Sequence, residues 1–70
     1  MANWSKYGIN EKIVTAFNKA MIAPENIKSD GEYIWDFVAA DVFIECKDFN
    51  DAYLDYCIDQ LIEQFLKEAA

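Results

Sequence analysis

The chain has 70 residues, of which 54% are hydrophobic and 16% aromatic, and its formal net charge is −7. This length fits one small domain, expected over residues 1–70, and the apolar share excludes an intrinsically disordered chain despite the charge. No apolar run approaches the ~20 residues of a membrane-spanning helix, and the first residues lack the apolar core of a signal peptide. We therefore expect a soluble protein of the cytoplasm.

The first predicted helix follows a short arm that carries two aromatic side chains and ends at Gly8. Asn10 is a favourable N-cap, and apolar residues then recur at three- and four-residue spacing. Pro24 disfavours helical geometry at the residue before it, so the helix must stop there. The pattern predicts a helix over about residues 11–22, followed by a connection with a Ser-Asp-Gly turn.

The second element is the most apolar stretch of the chain, residues 33–44. Two starts are open: a capping box formed by Ser29 and Glu32, or an extended segment that leads to Asp36 as the N-cap. We expect a helix over about residues 32–46, with a short extended segment before it as the alternative; a lone strand would have no obvious mate. Its apolar residues cover two sides, which is typical of a helix buried between others. This helix is therefore expected at the centre of the fold.

The third helix is predicted over about residues 51–67, with Asn50 as its N-cap. Apolar residues at helical spacing give it one broad face: Leu54, Cys57, Ile58, Leu61, Ile62, Phe65 and Leu66. Another face carries an acidic row at four-residue steps: Asp51, Asp55, Asp59 and Glu63. The sequence as a whole predicts an all-α fold, a compact three-helix domain whose central helix is apolar on two sides.

The negative charge is concentrated in the second part of the chain. Residues 1–28 carry four lysines against two acids, a net charge of +2, whereas residues 29–70 carry two lysines against eleven acids, a net charge of −9. Like charges four residues apart destabilise a helix, so local helix physics gives no reason for the acidic row. Three interpretations are open: a solubilising face, a docking face for a basic partner, and a carboxylate site for a hard cation.

Several chemistries lack the residues that they need. Without histidine the chain has no usual general base, and its two isolated glycines form no phosphate loop. Cys46 and Cys57 cannot complete a four-ligand zinc site and are expected to be reduced, buried, small apolar side chains. Asp41 and Glu45 form a polar strip that is expected to pair with a lysine of the first helix. We therefore expect no enzymatic activity, no catalytic residue, no cofactor and no metal.

The acidic row, together with Tyr53 and Tyr56 beside it, is the candidate partner-binding surface, because tyrosine is enriched at interfaces. Six lysines and no arginine argue against nucleic acid as a direct ligand. A spaced row of carboxylates can instead imitate phosphates, which makes a nucleic-acid-binding protein a natural target. The predicted function is a non-enzymatic protein-binding module for a partner with a basic surface. The alternative is a structural homodimer that buries surplus apolar surface.

The segment from Gly31 to Val42, GEYIWDFVAADV, resembles a stretch of small phage-encoded proteins. In size and charge the whole chain is similar to small acidic phage accessory proteins that inhibit a host enzyme or defence complex, anti-CRISPR proteins among them. The resemblance implies an inhibitor that acts in the cytoplasm of the host cell. It covers about a sixth of the chain and assigns no role to an individual residue.

Overall fold

The computed structural model describes residues 4–69, apart from the side chains of Ser5 and Ala69. The described residues are 72% helical and contain no strand, which confirms the expected all-α, three-helix fold. The ends of the expected 1–70 domain lie outside the described residues. No helix within residues 4–69 is long and apolar enough to cross a membrane. The elements, in chain order, are a 3-10 turn at Trp4–Tyr7, α1 at Glu11–Met21, a 3-10 turn at Pro24–Asn26, α2 at Trp35–Glu45 and α3 at Asp51–Ala69.

The helix α1 supplies the largest share of the core. It runs antiparallel to α2. Near the start of α1, the Lys12 carbonyl lies 3.9 Å from the Sγ of Cys46, which follows the end of α2. Further along α1, Phe17 stacks on Trp35, the first residue of α2. The buried apolar side chains of α1 and α3 meet in one cluster, formed from Ile13, Ala16, Phe17, Ala20 and Met21 of α1 and from Leu54, Cys57, Ile58 and Leu61 of α3.

The helix α2 is not the buried centre that the sequence predicted. Only Val38 and Val42 are buried within it, each with 0% exposure, whereas Phe37 is 53% exposed and Ile44 is 72% exposed. The prediction of a helix sandwiched between partners is wrong because the cores of α1 and α3 both meet α2 on its valine side. The opposite apolar side of α2 is left at the surface.

The start of α2 also differs from both predictions, because the helix begins at Trp35 rather than near residue 32. Its N-cap is Ile34, whose apolar side chain makes no capping hydrogen bond. The predicted capping box of Ser29 and Glu32 is therefore wrong. Asp36 does not cap the helix either, since it lies within the first turn.

The residues just before α2 are extended, because a tight turn pairs them with the residues that follow the second 3-10 turn. Ile27 and Tyr33 form an isolated antiparallel bridge, and Gly31 between them has a φ of 87°. The Asp30 Oδ1 accepts a hydrogen bond from the Glu32 amide at 3.0 Å, which stabilises the turn. This pairing is incompatible with a helix that starts near residue 32, and it confirms the short extended segment that the sequence offered as the alternative.

The predicted caps of α1 and α3 are confirmed. Asn10 Oδ1 accepts a hydrogen bond from the Lys12 amide at 2.9 Å. Asn50 Oδ1 accepts from the amides of Ala52 at 2.9 Å and Tyr53 at 3.2 Å, so it satisfies two donors of the first turn of α3. Both helices end within two residues of their predicted C-termini.

Four aromatic rings, the ring cluster, join the start of α2 to the other two helices. Phe17 and Trp35 are stacked with ring centroids 6.3 Å apart. Phe65 of α3 meets Trp35 at 5.6 Å and Tyr33 at 5.4 Å, both edge to face. Such aromatic pairs stabilise a fold beyond the area that they bury, so the ring cluster ties all three helices at one end.

Candidate functional site

The acidic row lies on the outer side of α3. All four of its carboxylate residues are exposed, while the opposite side of the helix is buried in the core. Glu63 is paired, with its Oε1 3.5 Å from the Lys67 Nζ. Within residues 4–69, no lysine forms an ion pair with the other three members, Asp51, Asp55 and Asp59.

The geometry of α3 arranges the acidic row as a winding line of charge. Each four-residue step rises about 6 Å along the helix and turns about 40° around it. From Asp51 to Glu63 the carboxylates therefore climb about 18 Å and turn through about 120°. A strand of duplex DNA carries one phosphate for about every 3.4 Å of axis, so the row has the sign of a nucleic-acid backbone at about half its axial density.

The two predicted contact tyrosines anchor the N-terminal segment to α3. The Tyr53 hydroxyl donates to the Gly8 carbonyl at 2.6 Å and accepts from the Asn10 amide at 3.0 Å. The Tyr56 hydroxyl donates to the Tyr7 carbonyl at 2.7 Å. Burial raises the pKa of Tyr53. The sequence did not indicate these contacts because the partners are more than forty residues apart.

Tyr56 and Leu66 add exposed apolar surface beside the acidic row. Tyr56 is 43% exposed and Leu66 is 52% exposed. Tyr56 lies three residues before Asp59, and Leu66 lies three residues after Glu63, so each shares a helix face with a carboxylate of the row. The sequence grouped Leu66 with the broad apolar face of α3, whereas the structure leaves its side chain exposed. We call these six residues the acidic face: Asp51, Asp55, Tyr56, Asp59, Glu63 and Leu66.

Both carboxylates of the polar strip of α2 have partners within the chain, Glu45 at the surface and Asp41 half-buried. The Lys19 Nζ lies 3.6 Å from the Glu45 Oε1, which confirms the predicted pairing with α1 for one of the two carboxylates. The other, Asp41, accepts a hydrogen bond from the Asn26 Nδ2 at 2.7 Å instead. Asn26 is only 2% exposed, and its Nδ2 also donates to the Ala20 carbonyl at 2.8 Å. No spacing pattern in the sequence indicated this buried amide.

Comparison of the chain with protein-family models, with characterised proteins and with solved structures finds no match.

The two cysteines are buried, free thiols, as the sequence predicted. Burial raises the pKa of both, and the neighbouring Glu45 carboxylate raises that of Cys46 further. A raised pKa keeps a thiol protonated at neutral pH, and the protonated form is a poor nucleophile. Neither cysteine has the electropositive, accessible surroundings of a reactive thiol.

The interpretation of the acidic row as a cation site has no geometric support. No group of three or more histidine, cysteine or acidic side chains within residues 4–69 is placed to hold a metal ion. Hard cations take six or more oxygen ligands, whereas one helix face offers carboxylates a full turn apart. A solubilising face and a docking face are the two interpretations that fit the surface.

Proposed function

We propose that this chain is a non-enzymatic protein-binding module that docks the acidic face of α3 on a basic surface of another protein. The observation that carries the proposal is the state of Asp51, Asp55 and Asp59, which are exposed and form no ion pair with any described residue. A solubilising role accounts for the amount of charge. It does not account for the four-residue order, which costs helix stability and concentrates charge along one line.

The exposed apolar side chains of the acidic face support docking rather than solvation. Interfaces combine a few apolar or aromatic anchors with a charged surround, and tyrosine is frequent among the anchors. Tyr56 and Leu66 are placed to supply such anchors within the row of carboxylates. The charge would steer association and set specificity, while the two side chains would add contact area.

A narrower form of the proposal makes the partner a nucleic-acid-binding protein and the chain a phage-type inhibitor in the host cytoplasm. The winding row of carboxylates would occupy a groove that otherwise takes phosphates. The net charge of −7 supports this form because it attracts a strongly basic groove at long range. The prediction specific to mimicry is that a DNA or RNA duplex displaces the chain from its partner.

The test compares two variants with the same loss of charge. One neutralises the row with Asp55→Asn, Asp59→Asn and Glu63→Gln. The other neutralises three exposed acids elsewhere, with Glu11→Gln, Glu32→Gln and Asp48→Asn. Each carries three fewer negative charges, so the net charge changes from −7 to −4 in both.

Immobilised wild type and both variants are exposed to a lysate of the encoding organism or, for a phage, of its host, and the captured proteins are quantified by mass spectrometry. We expect that the wild type and the control variant capture one protein in equal amounts and that the row variant does not capture it. Its capture should fall steeply from low to high salt, because exposed charges are screened. Equal capture by the row variant, or capture that salt does not change, would contradict the acidic-face proposal.

A further inference from the structure

The exposed side of α2 presents a stripe of apolar side chains, the α2 stripe, formed by Phe37, Ala40 and Ile44. All three are exposed. They lie at i, i+3 and i+7, the spacing of the a and d positions along which one helix packs on another. Isolated apolar residues at a surface need no explanation, but three along one seam form a patch of the kind that marks an interaction site.

Acidic side chains border the α2 stripe on both sides. At about 100° per residue, Asp36 lies to one side of the stripe and Asp41 to the other, with Glu45 beyond it. The Asp41 Oδ2 accepts a hydrogen bond from the Asn26 Nδ2 and the carboxylate keeps further acceptor capacity, while Glu45 is paired with Lys19. The helix itself contains no lysine or arginine. The border of the stripe is therefore negative.

A groove of about 190 Å³ opens beside Ile44. Small side chains leave room in it for a side chain of a partner, and its charged residues are three carboxylates against one ammonium. Such a groove suits the end of a lysine or arginine. The carboxylates are those of Glu25, Asp41 and Glu45, and the ammonium is that of Lys19.

We propose that the α2 stripe is the docking site for an amphipathic, basic helix of another protein. Apolar residues of that helix pack on Phe37, Ala40 and Ile44, and its flanking lysine or arginine side chains meet Asp36 and the groove. Ala40 allows close approach at the middle of the seam. The site lies on a different helix from the acidic face, so it does not depend on the function proposed above.

Charge distinguishes this partner from a second copy of the chain. Pairing α2 with α2 would bring Asp36 and Asp41 of one copy toward the same acids of the other. The helix has no cation of its own, and Lys19 of α1 is paired with Glu45. Like charges that flank a helix seam disfavour pairing, whereas opposite charges select the partner. The stripe is therefore suited to a basic helix and unsuited to self-association.

The test uses two synthetic peptides of about three heptads with leucine at a and d. One carries lysine at e and g, and its matched control carries glutamate there. Isothermal titration calorimetry with the whole chain should show saturable binding of the lysine peptide and an affinity at least about tenfold lower for the glutamate peptide. The double variant Phe37→Ser with Ile44→Ser should weaken binding of the lysine peptide by at least about tenfold.

Two further variants separate docking from general effects. Ile22→Ser also removes an exposed apolar side chain, which belongs to neither surface, and should leave the affinity unchanged. Ala40→Gln keeps the apolar flanks and blocks the middle of the seam, so it should abolish binding even if the serine variant fails to fold. The Asp55, Asp59 and Glu63 row variant should retain the peptide affinity, which separates this site from the acidic face.

Several results would overturn the proposal. The lysine peptide could show no saturable binding, both peptides could bind equally well, or the Ala40→Gln variant could bind the lysine peptide like wild type. A fourth is a wild-type dimer in sedimentation equilibrium that Phe37→Ser with Ile44→Ser converts to a monomer, which would assign the stripe to a second copy.

Discussion

Asn26 is the polar residue that holds the corner between α1 and α2. Its backbone carbonyl accepts from the Ile34 amide at 2.8 Å, and its side chain donates to the carbonyl of Ala20. In a continuing helix that carbonyl would accept from residue 24, but Pro24 has no N–H to donate. Asn26 supplies a donor where proline removes one, and it fixes the path of the chain at the end of α1.

Replacing Asn26 with alanine should therefore destabilise the fold. The Asn26→Ala variant leaves the Asp41 carboxylate without its partner and the Ala20 carbonyl with only the longer hydrogen bond from the Ala23 amide, at 3.3 Å. We expect a loss of about 2 kcal/mol in the free energy of unfolding. Urea unfolding followed by circular dichroism measures it. Asn18→Ala, at an exposed position of α1, is the control and should change the value by less than about 0.5 kcal/mol. If Asn26→Ala and Asn18→Ala changed the free energy of unfolding equally, the Asn26 side chain would not stabilise the connection between α1 and α2.

At the scale of the elements, the N-terminal segment is held to α3 by side-chain hydroxyls rather than by a continuous helix interface. Gly8 ends the first 3-10 turn with a φ of 72°, which a residue with a side chain rarely adopts. The chain then reaches the Asn10 cap, whose amide donates to Tyr53. The segment and the start of α1 thus share one anchor on α3.

Removing the Tyr53 hydroxyl should change the hydrogen exchange of a single backbone amide, that of Asn10. In Tyr53→Phe the Asn10 amide loses its acceptor, so its hydrogen exchange, measured by nuclear magnetic resonance, should become faster relative to the core amides of α1. Tyr56→Phe is the matched control, because the hydroxyl it removes donates to Tyr7 and does not touch that amide. Unchanged exchange at Asn10 in Tyr53→Phe would show that this hydrogen bond does not protect it.

Local patterns predicted α1 and α3 well, and the tertiary arrangement decided what the sequence did not show. The caps Asn10 and Asn50 act within three residues, so the sequence around them contains the whole signal. The start of α2 depends on the bridge between Ile27 and Tyr33, and the exposure of its apolar side depends on how the other helices pack.

The candidate site divides in the same way. The acidic row follows from four-residue spacing alone, and its exposure was predictable from that spacing. The hydroxyl contacts of Tyr53 and Tyr56 join residues distant in sequence, which no spacing rule indicates. Leu66 continues the apolar period of α3, but Phe65 beside it takes the place in the ring cluster and leaves Leu66 exposed.

For the whole molecule, the concentration of charge on one helix should cost stability. Asp59 lies four residues from both Asp55 and Glu63, so its carboxylate takes part in two unfavourable pairs. Asp59→Lys replaces both repulsions with attractions, and we expect the free energy of unfolding to rise by about 1 kcal/mol at low salt. The gain should shrink as salt is added.

The control for this prediction is Asp48→Lys, which changes the net charge equally at an exposed position before α3. Its neighbours at four residues are uncharged, so its gain should be smaller. Equal gains in urea unfolding would mean that net charge, and not the order of the row, limits stability. If the Asp59→Lys variant is more stable than wild type and no longer captures the partner, the acidic row serves binding and lowers the stability of the fold.

The ring cluster and the N-terminal turn give the molecule two separate optical probes. Trp35 lies between Phe17 and Phe65, whereas Trp4 packs at the edge of the core from the first turn. Indole emission shifts to longer wavelength on contact with water, so Trp4→Phe leaves a reporter of the helix junction and Trp35→Phe leaves a reporter of the N-terminal segment. Emission curves that coincide during denaturation would mean that the whole chain opens at once, and curves that separate would give the order in which its parts detach.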